Sequence, residues 1–282
     1  ISHFLPRMII ANKDNIYQRF IGQKYMKLAE ATLRRYIRNL LKEGIYDPGI
    51  FKAVFMAGGP GSGKSYTAKT LFAGPKESAL ATATATGLKL INSDPAFEMF
   101  LKKAGVDPAD LGKISPEEFE RLTVGKESPR GKAKKMRNLQ QKNFLAGNLG
   151  VIIDGTGDDY EKIAKKKAMM EAEGYDTTML FVNTSLEVAQ ERNQNRDRKL
   201  PKDLVEEIWR DVQENMGKFQ TLFGRENFII IDNTVYGPPP KDVVKAADAF
   251  MRSPIKNRVG KEKIKKMLAA KGPEARLPKR KS

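Results

Sequence analysis

Eight consecutive residues, Gly58-Gly59-Pro60-Gly61-Ser62-Gly63-Lys64-Ser65, restrict the fold of this chain more than any other feature. They follow a short apolar run, Phe51–Ala57, and precede a helical stretch, Ser65–Phe72. The pattern is G-x-x-x-x-G-K-[ST] in the strand–loop–helix setting it requires. Glycines let successive main-chain N–H groups turn inward toward phosphate oxygens. The N-terminus of the following helix adds a partial positive charge. Lys64 is expected to reach the β- and γ-phosphates, and the Ser65 hydroxyl to ligate Mg²⁺. Gly58, Gly59, Pro60, Gly61, Ser62, Gly63, Lys64, Ser65 and Tyr66 are therefore the candidate nucleotide-binding residues, with ATP and Mg²⁺ as the expected ligands. The glycine spacing does not give G-x-G-x-x-G, so a dinucleotide fingerprint is not indicated.

Around this loop, short apolar runs alternate with helical stretches. Leu88–Asn92, Leu149–Asp154, Thr177–Asn183 and Phe228–Asp232 join Phe51–Ala57 as expected strands. Between them, helices are expected around Pro95–Lys103, Gly131–Asn148, Asp159–Glu173, Ser185–Arg196 and Lys202–Phe223, and Ser115-Pro116-Glu117-Glu118 has the spacing of a capping box. The runs are nearly continuous in apolar residues, as parallel strands covered on both faces should be. The expected fold is α/β: three layers around a mainly parallel five-stranded sheet. Residues 14–43 read as one long amphipathic helix, from Asp14 to the stop at Gly44. Ala79–Gly87 alternates alanine and threonine as a linker would, and Gly237-Pro238-Pro239-Pro240 reads as a stiff break. The expected organisation is an N-terminal helical extension, 1–50, an α/β body carrying the phosphate loop, 51–237, and a basic C-terminal extension, 238–282. That extension is expected to be partly disordered, with helices at Lys241–Met251 and Lys261–Ala270.

The chain contains no cysteine and one histidine, His3. Disulfides, thiolate metal sites, cysteine nucleophiles and a Ser-His-Asp triad are thereby excluded, and acid–base work falls to carboxylates, lysines or tyrosines. A cysteine-free chain with no apolar run near the ~20 residues of a bilayer span fits a cytoplasmic setting and no membrane. The net charge of +17 is uneven. Residues 1–50 carry nine Lys/Arg against four Asp/Glu, and 241–282 carry fourteen against four, leaving the middle near neutrality. Two basic ends point to a polyanion partner such as nucleic acid.

Open α/β sheets bind ligands at the carboxyl ends of their strands. Asp94 follows the second strand in Ile91-Asn92-Ser93-Asp94-Pro95, and Asp154 ends the third in Val151-Ile152-Ile153-Asp154. Asp94 is the candidate acceptor of a hydroxyl proton, with a helix N-cap as its structural alternative. Asp154 is the candidate Mg²⁺ anchor beside Ser65, or an orienter of the acceptor. Asp232 and Asn233 read mainly as structural, with contact to adenine as the alternative. Arg192 and Arg196 lie four apart, on one helical face, and Arg198 follows. Planar, permanently charged guanidinium groups suit a lid that stabilises charge on a transferring phosphoryl group. The alternative is a surface helix whose arginines pair with Glu187 and Glu191. The candidate catalytic set is Lys64, Asp94, Arg192 and Arg196.

Taken in order, the phosphate loop, Ile-Asn-x-Asp ending at Asp94, Asp154-Gly155-Thr156-Gly157 and Arg192-Asn193-x-x-Arg196 followed by Leu200-Pro201-x-Asp203 resemble two related groups. These are the kinase domain of bacteriophage-type polynucleotide 5′-kinases and the zeta-toxin group of P-loop kinases, matched over roughly residues 51–232. The resemblance implies that Asp94 is the general base and that Arg192 and Arg196 belong to the lid. Phe97 and Glu98 stand where the polynucleotide kinases carry an arginine shortly after the base. Arg-Asn-x-x-Arg is nearer the first group. Gly155-Thr156-Gly157 and Gly174-Tyr175-Asp176-Thr177 are nearer the second, which phosphorylates a nucleotide sugar. The expected activity is ATP-dependent transfer to a hydroxyl, preferably a nucleic-acid 5′-hydroxyl. The other readings are a zeta-like kinase of a small molecule and a non-catalytic ATP-binding module acting through its basic ends. The oligomeric state is left open.

Overall fold

The apolar residues of β1 (Lys52–Ala57) fall on alternate faces of the strand, and that alternation builds the molecule. Ala53, Phe55 and Ala57 join one buried cluster with Val151, Ile153, Met179, Phe181, Val212, Phe219 and Ile264. Val54 and Met56 join a second with Phe72, Ile152, Leu180, Val182, Ile231, Val243 and Met251. Each large aliphatic or aromatic side chain buried this way contributes ~1.5–3 kcal/mol. A strand apolar on both faces must be covered on both, and the result is three layers.

The structure is a computed structural model, and it describes residues 45, 47, 49–72, 86–111, 113–196 and 199–272. The expected helix 14–43, most of the Ala/Thr linker, Arg198 and the last ten residues lie outside the described set. After β1 come α1 (Lys64–Phe72), β2 (Lys89–Ile91), α2 (Asp94–Lys103), α3 (Pro116–Thr123), α4 (Pro129–Ala146), β3 (Val151–Asp154) and α5 (Tyr160–Ala172). They are followed by β4 (Asp176–Asn183), α6 (Leu186–Gln194), α7 (Lys202–Phe223), β5 (Phe228–Asp232), α8 (Lys241–Arg252) and α9 (Arg258–Ala270). The sheet runs β2-β3-β1-β4-β5, and every described pairing is parallel. β1 lies between β3 and β4, with Met56 opposite Asp154 on one side and Leu180 on the other. The loops that follow β1, β2, β3 and β5 therefore open at one edge, where the site forms.

Local chemistry accounts for most helix starts. Ser115, Ser128, Asp159, Ser185 and Asn257 each accept a main-chain N–H from the first turn of α3, α4, α5, α6 and α9. Proline follows directly after Ser115 and Ser128. A satellite cluster of Phe97, Leu101, Leu111, Leu122 and Ala133 packs α2, α3 and α4 together beside the sheet.

The C-terminal helices depart from the extension expected for 238–282. Val243, Ala247 and Met251 of α8 sit in the cluster beneath Val54 and Ile231, and Ile264 of α9 in the cluster of Phe55. α9 also starts at Arg258, three residues before the expected Lys261, because the Asn257 side chain caps Val259 and Gly260. Lys52 fixes this region further. Its ammonium is fully buried, pairs with Asp176 at 3.1 Å, donates to Ser253 Oγ at 2.9 Å and lies over the Phe250 ring. Asp176 in turn accepts the Lys256 and Asn257 N–H groups. Most basic residues of 241–272 are thus carried on helices whose apolar faces complete the core.

Candidate active site

The phosphate loop leaves β1 at Gly58 and enters α1 at Lys64. Gly58, Gly61 and Gly63 take φ values of +148°, +78° and +88°. A Cβ on Gly61 would lie 2.3 Å from the Ala189 carbonyl, and one on Gly63 2.2 Å from Asn233 Nδ2. The sequence therefore needs glycine here for close approach as well as for conformation. Asn233, just beyond β5, donates to the Ser62 carbonyl at 2.7 Å and holds the loop from the far end of the sheet. Asn233 thus ties the end of β5 to the loop. Trp209 of α7 lies beside Gly59 and donates to the Thr184 carbonyl at 2.9 Å.

Lys64 folds back over the loop, donating to the carbonyls of Gly58 and, at 3.1 Å, Gly59. Burial lowers its proton affinity, while Asp154 most of all, and also Asp94 and Asp158, pull in the opposite direction. Burial likewise raises the Asp154 pKa, opposed chiefly by Lys64. The charges of Asp94 and Arg196 act on both Lys64 and Asp154, so the structure brings these four candidates to one site.

Asn92 links the Asp154 carboxylate to the main chain of Asp94. Its Nδ2 donates to Asp154 Oδ2 at 3.0 Å, and its Oδ1 accepts the Asp94 N–H at 2.8 Å. Asp94 is the first residue of α2 and its side chain does not cap the helix, because Ser93 occupies the N-cap position. The helix-cap alternative for Asp94 is therefore not the one adopted. Asp94 Oδ1 instead accepts from Arg130 Nη1 at 3.0 Å, and the Arg130 guanidinium lies 4.8 Å over the Phe97 ring. An arginine does stand beside Asp94, supplied by α4 rather than by the residues following the aspartate. Asp154 Oδ1 is buried with no hydrogen-bond partner among the described residues. An unpartnered buried carboxylate oxygen suits a hydrated divalent ion. Among the described residues no group of three or more His, Cys, Asp and Glu side chains is arranged to hold a metal alone, so such an ion would need phosphate oxygens as well.

The two lid arginines part company. Arg196 is exposed just beyond α6, near enough for its charge to act on both Lys64 and Asp154. Arg192 instead donates to the Asn233 carbonyl at 2.8 Å and the Thr234 carbonyl at 3.4 Å. Neither forms the surface pair with Glu187 or Glu191, since Arg192 is turned inward to the loop after β5. That loop walls a cavity of ≈ 240 Å³ with Tyr66, Asp232, Tyr236 and Pro238–Pro240, where the Tyr66 and Tyr236 rings lie 5.5 Å apart. Behind β3, Asn215 of α7 donates to the Gly157 and Asp158 carbonyls at 3.1 and 2.7 Å, fixing the loop after Asp154.

A phosphate loop at the carboxyl edge of a parallel sheet, with one aspartate ending β3 and another just beyond β2, defines a P-loop kinase-like α/β domain. Residues 54–219 match the AAA domain family AAA_33, and the chain belongs to that family. No curated protein matches the sequence. Among solved structures, the chain is similar to one in the Pnkp1/Rnl/Hen1 RNA repair complex, with 19% identity and a TM-score of 0.41 over 60% of this chain. It spans about half of that protein, 46% of its length. The PezAT chromosomal toxin–antitoxin system of Streptococcus pneumoniae gives 14% identity and a TM-score of 0.45, covering 85% of this chain and 96% of that one. Shikimate kinase from Bacteroides thetaiotaomicron gives 14% and 0.37, covering 70% and 93%. Among the described residues no helix is long and apolar enough to cross a membrane.

Proposed function

We propose that this chain is an ATP-dependent phosphotransferase acting on a hydroxyl, with a nucleic-acid 5′-hydroxyl as preferred acceptor. The observation carrying the reading is the Asn92 bridge, which holds Asp94 and Asp154 together beside Lys64 at the mouth of the phosphate loop. A module that only holds ATP has no use for a second carboxylate poised there.

In this reading the Gly58–Lys64 main chain cradles the β- and γ-phosphates, and Lys64 exchanges the Gly58 and Gly59 carbonyls for phosphate oxygens. Asp94 accepts the proton of the acceptor hydroxyl as its oxygen bonds to the γ-phosphorus. The bond from that phosphorus to the bridging oxygen breaks, and ADP departs with the electron pair. Ser65 and Asp154 would hold Mg²⁺, which supplies charge neutralisation along the phosphates when bound. Arg196 meets the charge that develops on the transferring group. Arg192 and Asn233 act at one remove, fixing the loop that walls the Tyr66–Tyr236 cavity, which suits a purine ring in its dimensions and aromatic lining.

The test is incubation with γ-labelled ATP and, in parallel, a 5′-hydroxyl oligonucleotide and a panel of nucleotide sugars. Label on the oligonucleotide, abolished in Lys64→Ala and Asp94→Asn, is the expected result. Label on a nucleotide sugar alone replaces the preferred acceptor with a small molecule, and ATP binding without transfer removes the enzyme reading. The contribution of the basic tail is best tested by removing 273–282, because a cut at 241 would take Val243 and Met251 out of the core. That truncation should flatten the salt dependence of oligonucleotide binding.

A further inference from the structure

Residues 256–282 carry eleven Lys/Arg against two Asp/Glu, and 256–272 hold seven of the eleven and one of the two. Most of that charge therefore sits on a folded surface, in and around α9. The helix is docked along the amino edge of the sheet. Asn257 caps its first turn and also donates to the Glu171 and Tyr175 carbonyls, at 2.8 and 3.3 Å. Gly260 meets Gly174 backbone to backbone. A Cβ on Gly174 would lie 2.7 Å from Gly260 N, and one on Gly260 2.2 Å from the Gly174 carbonyl oxygen. Farther along, Met267 Sδ accepts from Asn148 Nδ2 at 3.7 Å. Gly174 precedes β4 and Asn148 precedes β3, so α9 crosses the amino ends of both strands, at the edge opposite the phosphate loop.

That docking decides which side chains α9 presents. Gly260 and Ile264 are buried, and Met267 and Leu268 pack on the cluster of Phe55. The opposite face falls to Arg258, Lys261 and Lys265, at i, i+3 and i+7, with Lys266 beside them, all exposed. Lys256, just ahead of the cap, is exposed too. Glu262 is the one acidic residue of the helix. Steps of three and four residues give rises of ~4.5 and ~6 Å, so the cations form a row. A row of fixed cations suits a polymer of evenly spaced anions. A bilayer surface would need an apolar face as well, and α9 has committed its own to the core.

We infer that the exposed face of α9 binds the phosphate backbone of a nucleic-acid strand, downstream of the end that the active site takes, as a second contact remote from the chemistry. This deepens the function proposed above and rests on the acceptor being a nucleic-acid 5′-end. The reach follows from the sheet. The reacting groups stand at the carboxyl edge, and the eight residues of β4 set ~23 Å between the two edges. At ~3.4 Å per stacked nucleotide, a strand running from Asp94 to α9 spans roughly seven nucleotides or more. A dinucleotide therefore meets the active site alone, whereas a longer strand meets both. Contact at α9 adds affinity and salt dependence without base preference.

The test uses the full chain saturated with ADP. Calorimetry at several salt concentrations measures binding of a 5′-hydroxyl dinucleotide and of a single strand of about fifteen nucleotides. The variant Lys261→Gln/Lys265→Gln/Lys266→Gln is compared with wild type and with Lys69→Gln/Lys113→Gln/Lys245→Gln, which removes the same charge from exposed positions elsewhere. The α9 variant should bind the long strand at least tenfold more weakly. Its plot of log affinity against log salt should be shallower by about two, from three contacts at ~0.7 each. Its dinucleotide affinity should match wild type, and the control should match wild type on both ligands. In transfer assays the loss should appear as a raised KM for the long strand at constant kcat. Unchanged long-strand affinity in the α9 variant overturns the inference. So does an equal loss in the control, which reduces the effect to net charge, or an equal loss on the dinucleotide, which removes the reach. Binding of phosphatidylserine vesicles that is lost in the α9 variant, with the long strand unaffected, replaces nucleic acid by a membrane surface. Length-dependent binding through α9 without any transfer sustains the surface and overturns the kinase reading alone.

Discussion

Asn92 Nδ2 lies 3.0 Å from Asp154 Oδ2, and this one contact couples the strand-end carboxylate to the loop that carries Asp94. Both amide ends of Asn92 are spent, one on each aspartate. Asn92→Ala should release both at once and take from the buried Asp154 carboxylate its side-chain donor. Transfer should fall by one to two orders of magnitude, and urea unfolding should report a loss of ~1–3 kcal/mol. Asn92→Asp, which sets a third carboxylate between the other two, should be worse for activity. An unaffected rate in Asn92→Ala would separate Asp94 positioning from catalysis.

Asp94→Asn keeps the side chain's shape and its reach to Arg130 but cannot take up a proton. Transfer should drop ~10²–10⁴-fold while ATP affinity stays within about twofold. Trp209, the only tryptophan, lies beside Gly59, so its fluorescence reads nucleotide binding directly. In Lys64→Ala both the fluorescence response and transfer should be lost. Loss of ATP binding in Asp94→Asn would move that residue from proton transfer to nucleotide binding.

Gly63→Ala meets two obstacles, a φ of +88° and the Asn233 amide at 2.2 Å from the new Cβ. It should displace Asn233 from the Ser62 carbonyl and weaken ATP binding at least tenfold. Asn233→Ala makes room for the methyl group but leaves Ser62 O without its donor. The double variant Gly63→Ala/Asn233→Ala should therefore bind ATP less badly than the sum of the single losses predicts. Strict additivity in a fluorescence titration would count against the contact.

Lys166 gives a pH signature. Its folded value of about 8 lies below the usual lysine value, under burial and the facing charges of Arg137 and Lys162. Between about pH 8 and the unfolded lysine value of ~10.4, the unfolded chain holds more of this proton, so stability contributed by Lys166 rises with pH. Below about pH 8 the penalty is present in full. Lys166→Met should therefore raise Tm more at pH 7, where the penalty is present in full, than at pH 9.5. A Tm gain of equal size at both pH values would contradict this.

Lys52 and Asp176 should behave as a structural pair. Asp176→Ala strands a fully buried ammonium and frees the Lys256 and Asn257 N–H groups, for a loss of ~3–5 kcal/mol. Lys52→Met, which keeps volume and removes the charge, should cost much less, because Asp176 retains two main-chain donors. Chemical denaturation of the two variants distinguishes the cases.

The phosphate loop, the five strands and most helix boundaries were legible in the chain, because their causes are local. A Gly-rich turn needs glycine at its own positions, alternation along β1 is a property of neighbouring residues, and Ser115, Ser128 and Ser185 each accept the N–H three residues on. Asp94 and Asp154 could also be found, since a strand's end is where an open parallel sheet presents its ligands. What the sequence could not disclose were contacts closed by long loops. Arg130 reaches Asp94 across 36 residues and Asn233 reaches Ser62 across 171. Arg192 and Arg196 share a helix face in sequence, yet one binds the loop after β5 and the other stays at the mouth. Only the packing of α4 against α2, and of β5 into the sheet, decided which charges meet, because electrostatic pairing depends on distance in space, and chain order does not encode it.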